Sequence, residues 1–242
     1  MTKRDLLLRY KQAVMGFAWA VFMPLTNTAI FSVIFTRVAP ISIDVPYPLF
    51  VYLGLLVWNF TASALRFSTN SLTGNVSLVT KVYLPREVFP LSAILVTAVD
   101  TLVGALILIG MMVYYGVWPG TALVYLPLVC LVQLLFTAAV GFFLAMANLF
   151  YRDVKYLFEV AITLWMFASS VLYPTSLVTG KIGLLLRINP MTAIIDGYRE
   201  VLLYGHTPLS PAFAWTALVA VVAFGCSAIA FHRAEFRFAE TI

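Results

Sequence analysis

The chain has 242 residues, of which 62% are hydrophobic and 10% charged, and its formal net charge is +5. A soluble domain carries about 25% charged residues, so this composition excludes an ordinary water-soluble enzyme or binding domain and predicts one polytopic membrane domain over residues 1–242. The basic excess falls in short loops and tails, where the enrichment of Lys and Arg in cytoplasmic loops explains it without a nucleic-acid partner.

Residues 1–12, MTKRDLLLRYKQ, set Lys3, Arg4, Arg9 and Lys11 among Leu6, Leu7, Leu8 and Tyr10. The pattern predicts a short amphipathic helix on the cytoplasmic leaflet; a frayed basic tail that only sets topology is the alternative. Residues 15–36 are long and apolar enough for a first crossing, with a kink at Pro24. A loop over 37–46 leads to a second crossing at 47–67. Residues 68–88 hold Asn70, Gly74, Lys81, Pro85, Arg86 and Glu87; they predict a turn near Gly74 and a short helix before Pro85. Further crossings are predicted at 88–115, 123–150, 156–173 and 211–231.

Six crossings place both termini on one side. Eleven of the fifteen basic residues fall on that side, in the N-tail, at Arg66, Lys81 and Arg86, at Arg152 and Lys155, and at Arg233 and Arg237. Both termini are therefore expected in the cytoplasm. Residues 175–208 then lie outside. Asn189 suits a cap and Pro190 the first position of a helix that Gly205 can end. At about 20 Å that helix is too short for a ~30 Å core, and Asp196, Arg199 and Glu200 suit it poorly to lipid. A re-entrant helical hairpin shielded by protein is the predicted solution. The expected fold is all-α.

Polar residues recur at helical spacing. Asn59, Ser63, Arg66, Asn70 and Thr73 share one face of the second crossing. Such a face points at protein or water. It serves as the wall of a hydrophilic path, or as a helix-packing face with Arg66 snorkelling to the interface. Glu159, Thr163, Met166, Ser170 and Tyr173 make a similar face on the fifth crossing, with Trp165 and Ser169 beside it. Sugar rings carry CH patches that pack on aromatic rings, and hydroxyls that need partners; each aromatic taken singly also suits a core or interfacial anchor. Asp100 lies well inside the third crossing, where it faces a cavity, pairs with a base such as Arg66, or is protonated. On the fourth crossing Gln133, Thr137, Gly141, Ala145 and Asn148 form a small-and-polar stripe suited to close helix packing.

Motifs for catalysis are missing. HExxH, GxSxG and GxxxxGK[ST] do not occur, so no catalytic residue is assigned, and P-loop binding of ATP is excluded for this chain. Cys130 and Cys226 sit in apolar runs without a CxxC spacing, and no metal site or disulfide is predicted. No cleavable signal peptide is predicted, since the first apolar run is too long for one.

Taken in order, four stretches resemble the membrane subunits of the ABC-2 transporter class, closest to the permeases that export O-antigen, capsule and teichoic acid. They are DLLLRYKQAVMGFAWAVFMPL, KVYLPREVFPLS, NLFYRDVKYLFEV, and VLYPTSLV followed by INPMTAIIDGYREVLLYG. Relatives often carry a proline just before the valine of VLYP, where this chain has Ser169-Ser170. The resemblance implies a homodimer with two ATPase subunits that hold the ATP and Mg; the chain itself needs no cofactor. It implies that Lys81, Val82, Tyr83, Leu84, Pro85, Arg86 and Glu87 receive the push of the ATPases, although the same residues would also make an ordinary basic loop. It implies a path between subunits lined by Trp19, Phe22, Asn59, Ser63, Arg66, Trp165, Ser170 and Tyr173. Asn189, Pro190, Asp196, Arg199 and Glu200 would shape its exit. The implied substrate is a lipid-linked polysaccharide, whose pyrophosphate would suit Arg66 or the N-terminal basic cluster. An ABC-2 drug or lipid pump, and a proton-coupled carrier using Asp100, are the competing readings.

Overall fold

The computed structural model describes residues 18–38, 40, 43–81 and 85–241. The expected interfacial helix at 1–12 and the coupling residues Val82, Tyr83 and Leu84 lie outside them. The described residues form helices α1 (Ala18–Val33), α2 (Tyr47–Thr69), α3 (Val76–Lys81), α4 (Val88–Tyr115), α5 (Leu126–Phe150), α6 (Val154–Phe167), α7 (Gly180–Ile188), α8 (Pro190–Arg199) and α9 (Pro211–Thr241). Among them there is no strand.

Helix α2 is the centre of the bundle. Pro46 and Pro48 start it, as proline can where the first turn has no bond to lose. Its 23 residues span about 35 Å. It packs against α1, α4, α5, α6 and α8, and Leu49, Tyr52, Leu53 and Leu65 on it are fully buried. Helix α9 lies along α5, where Phe142 of α5 meets Phe224 and Phe231 of α9. The described part of α1 runs on into a wider turn over Ile34–Val38, with Pro24 inside the helix.

Four segments are long and apolar enough to cross a membrane: Tyr47–Thr69, Val88–Tyr115, Gly120–Phe150 and Pro211–Phe236. The chain is thus an integral membrane protein with an all-helical described structure. The exposed faces of α4 and α9 suit hydrocarbon. They carry Leu95, Leu102, Leu106 and Ile109 on α4, and Leu218, Val221, Val222 and Ile229 on α9.

The fifth predicted crossing needs correction. A helix over 156–173 is expected from the apolar run, but α6 ends at Phe167 after 14 residues, about 21 Å. The reason lies elsewhere in the chain. Asn189 donates its amide to the Ala168 carbonyl at 2.8 Å and to Ser169 Oγ at 2.9 Å. The Tyr173 hydroxyl donates to the Phe167 carbonyl at 2.7 Å. These side chains satisfy the last-turn carbonyls that a continuing helix would have used. No proline is needed at position 170 for the helix to stop.

Candidate functional site

The polar stripe of α2 is the part of that helix its neighbours leave open. Asn59, Ser63 and Arg66 are half-buried and Asn70 is exposed, while nearly every other residue of α2 is buried. Among the described residues this face is the least covered part of α2. Arg66 is held by Glu159 of α6 in a two-pronged bond, Nε to Oε1 at 2.6 Å and Nη2 to Oε2 at 2.9 Å. Both side chains remain over two-fifths exposed. Of the partners considered for Arg66, the structure gives Glu159 of α6 in place of Asp100. Thr73, half-buried, continues the stripe and accepts from Asn148 of α5 at 3.3 Å.

The remaining path candidates separate. Phe22 is exposed on α1 at 54%, and Trp19 lies one turn before it on the same helix. Trp165 is half-buried, edge-on to Trp58 at 5.7 Å and to Phe136 at 6.0 Å. Its indole donates to Asn189 at 3.1 Å. Ser170 is fully buried and donates to Asp196 at 3.0 Å. Tyr173 closes the end of α6, as described. Trp165 and Ser170 thus tie the hairpin to the bundle, through Asn189 and Asp196.

Asn189 organises that junction. Its Oδ1 caps α8 by accepting from the Met191 amide at 3.1 Å, and Pro190 fills the first helical position. Through Trp165, the turn between α7 and α8 sits near the level of Trp58, about 17 Å along α2 from Tyr47. Asn189→Ala is expected to cost about 1–2 kcal/mol, visible as a lower melting temperature in detergent.

Arg199 is the most buried charge among the described residues. Its side chain is 3% exposed. Nη1 donates to the Ser170 carbonyl at 2.6 Å and to Asp196 at 3.2 Å. Nη2 donates to the Val171 carbonyl at 2.8 Å. The guanidinium lies over the Phe50 ring, 3.5 Å from its centroid. Arg199, named above with the exit residues, clamps this turn from inside: the irregular backbone at 168–173 has carbonyls that no helix satisfies, and the guanidinium takes two of them. Nearby, the Tyr47 hydroxyl donates to the Leu172 carbonyl at 2.7 Å. Asp196 and Glu200 border a cavity of about 560 Å³ with Thr175, Arg187, Thr192 and His206. Glu200 faces His206 at 3.3 Å.

A network missed from sequence joins the middle of the bundle. Gln133 of α5 donates to the Val57 carbonyl at 2.9 Å and to Thr61 at 3.1 Å, and accepts from Tyr198 of α8 at 2.7 Å. Gln133 stood in the small-and-polar stripe of α5, but nothing in the spacing pointed to Tyr198.

At the opposite end from the hairpin, Lys81 closes α3 and Arg86 and Glu87 precede α4. Arg86 bonds the Glu235 carbonyl of α9 and lies over Phe238 at 6.0 Å. Glu87 and Glu235 flank His232 at 3.5 and 3.7 Å. The start of α4 is thereby strapped to the end of α9. Among the described residues this is the one trio of ligand-type side chains close enough to share an ion; His232 is two-thirds exposed.

The sequence profile of ABC-2 type transporters matches residues 1–203. The chain is 30% identical over 245 residues to the O-antigen export system permease protein RfbA of Myxococcus xanthus, covering 100% of this chain and 94% of that protein. It is 27% identical over 246 residues to an RfbA permease of the same description from Klebsiella pneumoniae, covering 100% and 93%. The profile match over most of the chain and a relative aligned end to end agree with a helical membrane domain whose buried central helix keeps one polar face open, and the chain belongs to the ABC-2 type transporter family.

Proposed function

We propose that this chain is the membrane-spanning permease subunit of an ATP-driven exporter. It carries a lipid-linked polysaccharide of O-antigen type from the cytoplasm across the inner membrane. The observation that carries the reading is the end-to-end likeness to proteins named as O-antigen export permeases. The open stripe Asn59, Ser63, Arg66, Asn70 supplies the physical means, since a polar face on an otherwise buried helix suits a hydrated polymer.

In this reading the chain crosses six times with both ends in the cytoplasm. The segment 154–173 completes its crossing as α6 plus the turn that Arg199 and Asn189 hold. Helices α7 and α8 form an external re-entrant hairpin, a reading supported by the depth of Asn189 beside Trp165. A second copy of the chain faces the α2 stripe, so that two stripes enclose one path. Two ATPase subunits bind ATP and Mg and press on the segment from Lys81 to Glu87. The strap from Arg86 and Glu87 to α9 would spread that push into two helices at once. The chain itself holds no ATP site.

The test is a strain lacking this permease. Restoring it should return polymer to the cell surface and should copurify an ATPase carrying a P-loop. Surface polymer that stays absent while a drug or lipid substrate is expelled would replace this reading with a pump of the same family.

A further inference from the structure

The end of the bundle that carries residues 68–88 holds a pocket of about 430 Å³ between α2, α5 and α6. Asn70, Thr73, Asn148, Leu149, Arg152 and Lys155 line it. Arg66, the base first matched to a phosphate group, is spent on Glu159, and that pair is neutral as a unit. Arg152 and Lys155 differ: among the described residues neither has a carboxylate within ion-pair distance, and the Lys155 ammonium lies 4.7 Å from the centroid of the Tyr156 ring. Asp153 stands between them in the chain but does not line the pocket, and it makes no capping bond at the start of α6. Lys155 stands in the first turn of α6, whose positive end favours an anion nearby.

The ligand this chemistry fits is a phosphate or pyrophosphate. Arginine takes two phosphate oxygens at once and lysine acts as a point charge; Asn70 keeps one amide hydrogen for a further bond after its bond to the Arg66 carbonyl, while the amide of Asn148 is taken by Thr69 and Thr73. Asn70 and Thr73 belong both to this pocket and to the foot of the α2 stripe. A headgroup seated here thus leaves whatever is attached to it facing the stripe.

We propose that this pocket is an anion subsite that seats the phosphate-bearing headgroup of a lipid-borne substrate, with Arg152 and Lys155 as its binding residues. The proposal rests on the exporter reading above for the lipid-borne source, and on the pocket alone for the anion.

The test uses the full chain in phosphatidylcholine nanodiscs, titrated with farnesyl pyrophosphate in one arm and inorganic pyrophosphate in the other, followed by ³¹P NMR. Farnesyl pyrophosphate should bind, and R152A/K155A should weaken it about tenfold or more, whereas R152K/K155R should stay within about threefold of the parent. R152Q/K155Q provides a second neutral variant if the alanine pair melts early. Farnesyl pyrophosphate binding within twofold of the parent in a folded neutral variant overturns the subsite. Inorganic pyrophosphate binding as tightly as the farnesyl form overturns the lipid-borne source. Surface polymer in cells separates this from the exporter reading: a parent that exports while the neutral variants bind unchanged sinks only the subsite, and a parent that does not export sinks the larger reading.

Discussion

Arg199→Leu is expected to cost about 3–5 kcal/mol of stability, the range for removing one partner of a buried ion pair. The effect should show as a steep fall in melting temperature by fluorescence-detected size exclusion and as a loss of protein from the membrane. The leucine leaves the Asp196 carboxylate, one-third exposed at the cavity wall, without its cation. It also strands the carbonyls of Ser170 and Val171, which have no helical partner, and removes the cation from the face of Phe50. Arg199→Lys should recover only part of the loss, because one ammonium cannot reproduce a planar fork reaching two carbonyls and a carboxylate. A second substitution tests the same clamp without touching charge. A side chain at Gly54 of α2 would collide with the Val171 carbonyl and bring its Cβ within 2.7 Å of Arg199 Nη2. Gly54→Val should therefore unseat the same turn from the other side. An R199L protein that melts like the parent would show that the hairpin is held by something other than this clamp.

Exchanging the two charges of the Arg66–Glu159 pair should separate folding from transport. The pair is exposed on both sides, so its direct worth to stability is about 0–1 kcal/mol. It sits on the open stripe, however, where a reversal changes the net charge of the face offered to the substrate. R66E sets two carboxylates against each other, and E159R sets two guanidinium groups against each other. Each should lower surface polymer by about tenfold or more, because each places two like charges on the face offered to the substrate while costing an exposed pair little stability. The double exchange R66E/E159R restores an ion pair and a neutral stripe, and should return export to within about threefold of the parent. Equal defects in the single and double variants would mean that Arg66 acts alone, not as half of a pair.

The stripe on α2 was readable from sequence because helical period alone places Asn59, Ser63, Arg66 and Asn70 on one face. The crossings with long apolar runs were readable for the same kind of reason: their signal is local. The end of α6 was not. It depends on Asn189, more than twenty residues away, reaching back to Ala168 and Ser169. The fate of Arg199 was hidden for a related reason. A charge in a short apolar helix reads as a sign of water nearby, and only the carbonyls left bare by the turn at 168–173 explain a buried guanidinium. Trp165 and Ser170 were named as path residues from composition and spacing; their partners Trp58, Phe136 and Asp196 come from other parts of the chain and were not legible. Glu159 stood on a predicted polar face, yet its pairing with Arg66 required the packing of α6 on α2. Local periodicity was legible throughout; pairings between distant segments were not.

The central claim is ATP-driven movement of a lipid-linked polymer through this subunit. It is tested most directly by purifying the permease with its ATPase, reconstituting both in vesicles, and measuring arrival of the polymer in the far compartment. The account predicts transport that requires ATP and Mg, persists when the proton gradient is collapsed, and falls with R66E. Transport that continues without ATP and follows the proton gradient would contradict it.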